Sequence, residues 1–134
     1  AELVGRFLKN RRGLPALAMS CNSSASTAIA NDYGFDRLFS RHIEALSTPG
    51  DLVIALSTSG NSANICRGLA TAVQCGCKTL ALLGRDGGKA ANMAEFEITV
   101  AAQQTSHIQE MHITIIHLLC KLTEEALFPS EVEK

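Results

Sequence analysis

The sequence predicts an α/β fold, a three-layer α/β/α doubly wound parallel sheet, and three observations carry that prediction. Short apolar runs bounded by Gly, Pro, Asn or Asp alternate with stretches of helical spacing. The runs show little in-out alternation, as expected of strands covered on both faces. The core must also be aliphatic, since hydrophobic residues reach 46% while aromatics are only 4% and Trp is absent.

Taken in order, residues 2–8 open the chain at helical spacing with no strand before them. Residues 15–20 read as the first buried strand. Residues 35–46 read as a helix with Leu38, Phe39, Ile43 and Leu46 on one side, closed by the turn Thr48-Pro49-Gly50. Residues 51–57 form the next strand, and residues 62–75 a helix with Ser62 as cap and Gly76 as stop. Strands follow at 78–83 and 95–100, then a long helix over 106–127 carrying Ile108, Met111, Ile115, Leu119 and Leu122. Residues 1–128 thus read as one domain, with a polar tail at 129–134.

Composition narrows the function. Twelve basic against thirteen acidic residues give a net charge of -1, which argues against a partner held by a basic face, so no direct nucleic-acid binding is expected. No apolar run approaches a membrane span, and no basic-then-apolar leader opens the chain, so a cytoplasmic protein is expected. Five cysteines, an odd number, fit a reducing compartment better than a disulfide framework. Cys75-Gly76-Cys77 lacks the two-residue spacer of redox motifs, and these thiols read as small buried hydrophobes.

The chemistry concentrates in Ser57-Thr58-Ser59-Gly60-Asn61-Ser62, between a strand and a helix. Ligands of open α/β sheets bind beyond the carboxyl ends of strands, where free N–H groups and the helix dipole favour phosphate. Four hydroxyls add donors, and Gly60 allows close approach. No Lys follows the glycine, so a single phosphomonoester suits the loop better than a nucleotide. The same residues would also serve as a plain turn and helix cap. A second loop, Gly84-Arg85-Asp86-Gly87-Gly88-Lys89, reads equally as a ligand loop or a tight connection.

Five ordered motifs carry a resemblance: Glu2-Leu3-Val4-Gly5-Arg6-Phe7, Ala30-Asn31-Asp32-Tyr33-Gly34-Phe35, Ser57 to Asn64, Gly84 to Lys89, and Ile108-Gln109-Glu110-Met111-His112. Together they resemble the sugar isomerase (SIS) domain family, whose fold is flavodoxin-like, and within it the branch that isomerises seven-carbon sugar phosphates. That resemblance implies an aldose-ketose isomerase converting sedoheptulose 7-phosphate to D-glycero-D-manno-heptose 7-phosphate, a precursor of lipopolysaccharide and cell-surface glycans. It also implies that the family's first helix, first strand and Gly-Asn-Gly-Gly-Ser loop are missing here, with a His one turn before Glu2.

By the same resemblance Ser57, Thr58, Ser59 and Ser62 hold the sugar phosphate, Asn31 and Asp32 contact the sugar, and Glu2, Gln109 and His117 surround the reacting carbons. Glu2 and His117 are the expected catalytic acid-base pair, being side chains that burial can tune toward neutral pH. Some members bind zinc through the positions of Glu2, Gln109 and His117, so zinc is an implied cofactor, with no nucleotide or redox group. His107 stands where many relatives have Arg, and Cys21-Asn22-Ser23-Ser24 lacks an acidic residue common after that strand. Taken alone, Glu2 reads as a solvated charge, Asp32 as a turn former, and Glu110, Thr114, His117 and Lys121 as the wet face of the last helix. His107 and His112 read as surface or packing residues.

Gln109 and His117 are eight residues apart, roughly 12 Å along a helix and about 80° in rotation. One substrate would not touch both from one chain, so a site shared between subunits is expected, and with the family's habit a homotetramer. The rival reading is a non-catalytic adaptor, similar to the family branch that tethers a replication initiator. That branch shares the Gln109-Glu110-Met111-His112 run but tends to lose the His at position 117 and to place a bulky basic residue in the hydroxyl loop. A sugar-phosphate sensor would keep the loop without an acid-base pair.

Overall fold

A computed structural model describes residues 1–129. Three parallel strands, β1 (Leu52–Ser57), β2 (Lys78–Gly84) and β3 (Phe96–Val100), form one sheet in the order β1-β2-β3. Leu56 pairs with Leu82, and Leu82 with Ile98, so the carboxyl ends of the strands lie along one edge. Before the sheet come α1 (Ser23–Tyr33) and α2 (Leu38–Leu46); α3 (Ala63–Gln74) joins β1 to β2, and α4 (Thr105–Leu127) follows β3.

The layers follow from strand parity. Ala55, Ala81 and Leu83 point to one face, where Leu69 of α3 closes a core with Ala90. Val53 and Cys77 continue that core toward Ile43 of α2 and Ala72 of α3. The opposite face carries Leu80, Leu82 and Gly84, and α4 lies against it. A Cβ on Gly84 would stand 2.7 Å from Ile108 and 2.4 Å from the Thr58 carbonyl oxygen, so glycine lets three segments converge there. Small residues on β1 and β2 therefore let helices approach from both sides, and the three-layer expectation holds.

Two local expectations do not, and one helix was not expected. Residues 15–20 form no strand; Pro15 to Ala18 are exposed and only Met19–Cys21 turn as a short 3-10 helix. An apolar run becomes a strand only where a sheet edge and a covering layer receive it. Leu14 N–H is instead tied to the Leu3 carbonyl at 2.9 Å, and the outward side chains of β1, Leu52, Ile54 and Leu56, stay exposed. Residues 2–8 form a turn rather than a helix, because Arg11 and Glu124 take the backbone groups a helix would pair internally. Finally, α1 has no apolar stripe to announce it, since none of its residues is buried. Its cap is legible, with Asn22 Oδ1 accepting from Ala25 N–H at 3.0 Å.

The inward stripe of α4 is Ile108, His112, Cys120 and Glu124, with Met111 and Leu122 exposed. Two of the four inward residues are polar because each has an internal partner. The tail expected at 129–134 lies, from position 130 onward, outside the described residues. Among the described residues no helix is long and apolar enough to cross a membrane.

Candidate functional site

The hydroxyl loop sits where β1 hands over to α3. Ser57 is buried at the strand end, and its Oγ accepts from Gly60 N–H at 3.0 Å, curling the chain back on itself. Ser59 Oγ accepts from Asn61 N–H at 3.2 Å, and Asn61 Nδ2 returns a bond to the Ser59 carbonyl at 2.9 Å. Ser62 occupies the cap position of α3 without using its side chain there, so that hydroxyl is free to meet a ligand. The second glycine loop braces the first: Ala90 N–H donates to the Gly60 carbonyl at 2.9 Å, and Lys89 N–H to Asn61 Oδ1 at 3.2 Å.

A cleft of about 430 Å³ opens beside this loop, lined by Leu56, Ser57, Thr58, Ser62, Gln109 and His112 among others. None of its walls carries a carboxylate or a Lys or Arg side chain. An anion there would be held by hydroxyls, backbone N–H groups and the amino end of α3. His112 is buried, its Nε2 donating to the Leu83 carbonyl at 3.0 Å, which fixes α4 on the sheet and Gln109, one turn earlier, beside the loop. Ser59 points into its own turn rather than into the cleft. Asn31 and Asp32 stand exposed on the last turn of α1 and do not line the cleft. A smaller cleft of about 330 Å³ on the second loop is bordered by Asn61, Arg85, Asp86 and Gln103.

A second cluster gathers two turns farther along α4. The exposed His117 imidazole stacks on the Phe7 ring, centroids 5.4 Å apart and planes at 25°. Burial first, then the neighbouring Glu2 and Glu124 carboxylates, push the Cys120 thiol above its ordinary value, so Glu2 lies close to the turn that carries His117. Glu124 is 1% exposed and takes five bonds. Its Oε1 accepts from Phe7 N–H at 3.0 Å and from Arg11 Nε and Nη2 at 2.9 Å each, and its Oε2 accepts from Leu8 and Lys9 N–H at 2.8 and 2.9 Å. Desolvation works against the charged form, yet the Phe7, Lys9 and Leu8 amides and the Arg11 guanidinium outweigh it, holding the Glu124 carboxyl at about 2.

The expected residues therefore fall into two groups. Ser57, Thr58, Ser62 and Gln109 share the cleft, while His117 stacks on Phe7 at the second cluster and the Glu2 carboxylate acts on Cys120, one turn beyond His117. Phe7, Arg11 and Glu124 belong to the second group; Phe7 ends the first motif without a role of its own there, and Arg11 and Glu124 stand in no motif. The signal for Glu124 was periodicity, since it follows His117 by seven residues on one helical stripe, and Arg11 carried none. Among the described residues no three His, Cys, Asp or Glu side chains gather where they could hold a metal ion. With Gln109 in the cleft and His117 under Phe7, one chain does not assemble the zinc set Glu2, Gln109 and His117.

Comparison with known proteins gives consistent matches. The SIS domain family model matches residues 1–84. The chain is 56% identical over 128 residues to the phosphoheptose isomerase of Geotalea daltonii, covering 96% of this chain and 67% of that protein. It is 53% identical over 129 residues to the phosphoheptose isomerase of Geobacter sulfurreducens, covering 96% and 68%. The solved phosphoheptose isomerase GmhA of Neisseria gonorrhoeae superposes with a TM-score of 0.79 at 44% identity, over 81% of this chain and 62% of that one. The enzyme from Francisella tularensis gives 0.83 at 32% identity, over 90% and 66%. The chain thus spans about two thirds of the length of the relatives it matches.

Proposed function

The chain belongs to the SIS domain family, and from that premise we propose that it works as a phosphoheptose isomerase, an aldose-ketose isomerase interconverting sedoheptulose 7-phosphate and D-glycero-D-manno-heptose 7-phosphate. The observation that carries this reading is the neutral, hydroxyl-lined cleft at the amino end of α3, with Gln109 on its far wall. A phosphomonoester fits such a wall because hydroxyl and amide donors satisfy its oxygens without a metal or a lysine.

In this reading Ser57, Thr58, Ser59 and Ser62 form the phosphate loop, and Ser57 and Ser59 act mainly by shaping it, since their hydroxyls already accept bonds within the loop. Asn31 and Asp32 contact sugar hydroxyls from the end of α1. Anchoring the phosphate at one end of an open-chain heptose leaves C1 and C2 to be addressed by other groups. Glu2 takes a proton from C1 of the ketose, the freed electron pair forms the C1–C2 double bond, and the C2 carbonyl oxygen gains a proton from His117. The enediol then collapses as a proton returns to C2 and the C1 hydroxyl proton leaves, giving the aldose. Atoms and electrons balance without any redox cofactor. A zinc ion would be held by Glu2, Gln109 and His117 only where two subunits bring them together, and there it would polarise the sugar's carbonyl and hydroxyl oxygens.

The two residue groups of one chain become one site if a second subunit supplies the missing half. Leu52, Ile54 and Leu56 on the sheet, with Met111, Ile113 and Leu118 on α4, offer the apolar surface that such an assembly would cover, and a homotetramer is the state we favour. Residues 1–128 act as one domain here, and the odd count of five cysteines favours a reducing cytoplasm. Both Ser59 and His117 are present, the positions expected to change in a non-catalytic adaptor. The test is direct: sedoheptulose 7-phosphate incubated with the protein should give an aldose signal by NMR, and no conversion at enzyme concentrations near the substrate's would refute the reading.

A further inference from the structure

The first fourteen residues contain no helix or strand, yet they carry Glu2 and Phe7. What holds them is side-chain chemistry. Arg11, its side chain 2% exposed, donates through Nη2 to the Glu2 carbonyl at 2.7 Å and through Nη1 to the Leu3 and Gly5 carbonyls at 2.8 and 3.2 Å. The same guanidinium pairs with Glu124, whose carboxylate collects the three successive N–H groups of Phe7, Leu8 and Lys9. A buried ion pair broken on one side is costly, so this clasp exists as a whole or not at all. Glu124 lies seven residues beyond His117 on α4, about two turns along and within about 20° of the same stripe. The clasp consequently sets the Phe7 backbone at a fixed place over α4, and the Phe7 ring reaches back to stack on His117.

We infer that Phe7, anchored by the Arg11–Glu124 clasp, is a positioning residue that holds the His117 imidazole in one orientation for proton transfer. This inference rests on the proposed isomerase reading for its catalytic meaning, but its physical content is independent. An exposed histidine on a helix ordinarily samples several rotamers. Covering one ring face restricts it, and proton transfer is sensitive to such placement.

The test uses the full chain and three proteins: unmodified, Phe7→Leu and Phe7→Tyr. In the unmodified protein the ring protons of His117 should be shifted upfield by the Phe7 ring and show cross-relaxation with it. Phe7→Leu should return those resonances to free-histidine positions and lower kcat about 10- to 100-fold with KM changed less than about two-fold. Phe7→Tyr, which keeps the ring, should restore both. Unshifted His117 resonances in the unmodified protein would overturn the inference even if Phe7→Leu failed to fold. So would a folded Phe7→Leu with unaltered kcat, or one in which KM rises and kcat holds. An unmodified protein that shows the ring shift but converts no sugar phosphate would support the stacking while refuting the isomerase reading, so the two failures are distinct.

Discussion

Gly60 and Gly87 meet backbone to backbone: a Cβ on Gly60 would stand 1.8 Å from the Gly87 carbonyl oxygen. Gly88 is equally confined, its missing Cβ falling 2.5 Å from the Ser59 carbonyl. The two glycine loops are therefore one packed unit. The second braces the first from behind, which holds the turn that Ser57 and Ser59 shape from within and leaves the Ser62 hydroxyl without a cap bond.

Gly60→Ala should break that unit. The residue has a φ of +65°, so alanine faces a backbone penalty as well as the collision. A loss of roughly 2 kcal/mol or more is expected, read as a lowered urea midpoint together with weaker sugar-phosphate binding. An unchanged midpoint would mean that the loops can part freely.

Ser62→Ala should behave differently. Its hydroxyl makes no cap bond to α3, so stability should hold within about 0.5 kcal/mol. A hydrogen bond to a charged phosphate is worth about 1.5–3 kcal/mol, so KM for the sugar phosphate should rise about 10- to 100-fold. A normal KM, with raised KM instead in Arg85→Ala, would move the phosphate to the cleft on the second loop.

The clasp predicts an acid limit. Glu124 has its carboxyl lowered from 4.5 to about 2, so the stability it contributes is fully present above about pH 4.5 and is lost as pH falls through 2. The amide protons of Phe7, Leu8 and Lys9 should accordingly titrate with a midpoint near 2 in NMR spectra. A midpoint near 4.5 would mean that the carboxylate gains nothing from its five bonds.

What could be read from the sequence followed physical periodicity. The strands at 51–57, 78–83 and 95–100 and the helices at 62–75 and 106–127 appear within a residue or two of their expected ends. Each is an apolar run with its own stop signal. The hydroxyl loop was legible for the same reason, because its chemistry is contiguous. The strand expected at 15–20 did not form although β1 leaves an edge unpaired, because Leu14 is tied back to Leu3 and among the described residues no layer covers Leu52, Ile54 and Leu56 there, which no local pattern encodes. The Arg11–Glu124 clasp was hidden because it joins residues 113 positions apart, and a lone glutamate on an amphipathic helix reads as a solvent-facing charge. Nothing in α1 faces the core, so only its Asn22 cap and Gly34 stop could have marked it.

Sharing of sites between subunits predicts complementation. A chain disabled in the phosphate loop by Ser62→Tyr and one disabled by His117→Asn should each be nearly inactive. Co-refolded together they should regain activity, because some interfaces then join an intact loop to an intact Glu2–His117 cluster. Mixtures as inactive as their parts would place each complete site within one chain.

The acid-base role of Glu2 and His117 is tested most directly by hydrogen exchange at the reacting carbons. In deuterium oxide the unmodified protein should introduce deuterium at C1 of sedoheptulose 7-phosphate and C2 of the aldose, because the proton passes through an exchangeable group. His117→Asn and Glu2→Gln should fold, bind the sugar phosphate, and slow that exchange by about 10²- to 10⁴-fold. Exchange in His117→Asn at nearly the unmodified rate would contradict the account and return His117 to the wet face of α4.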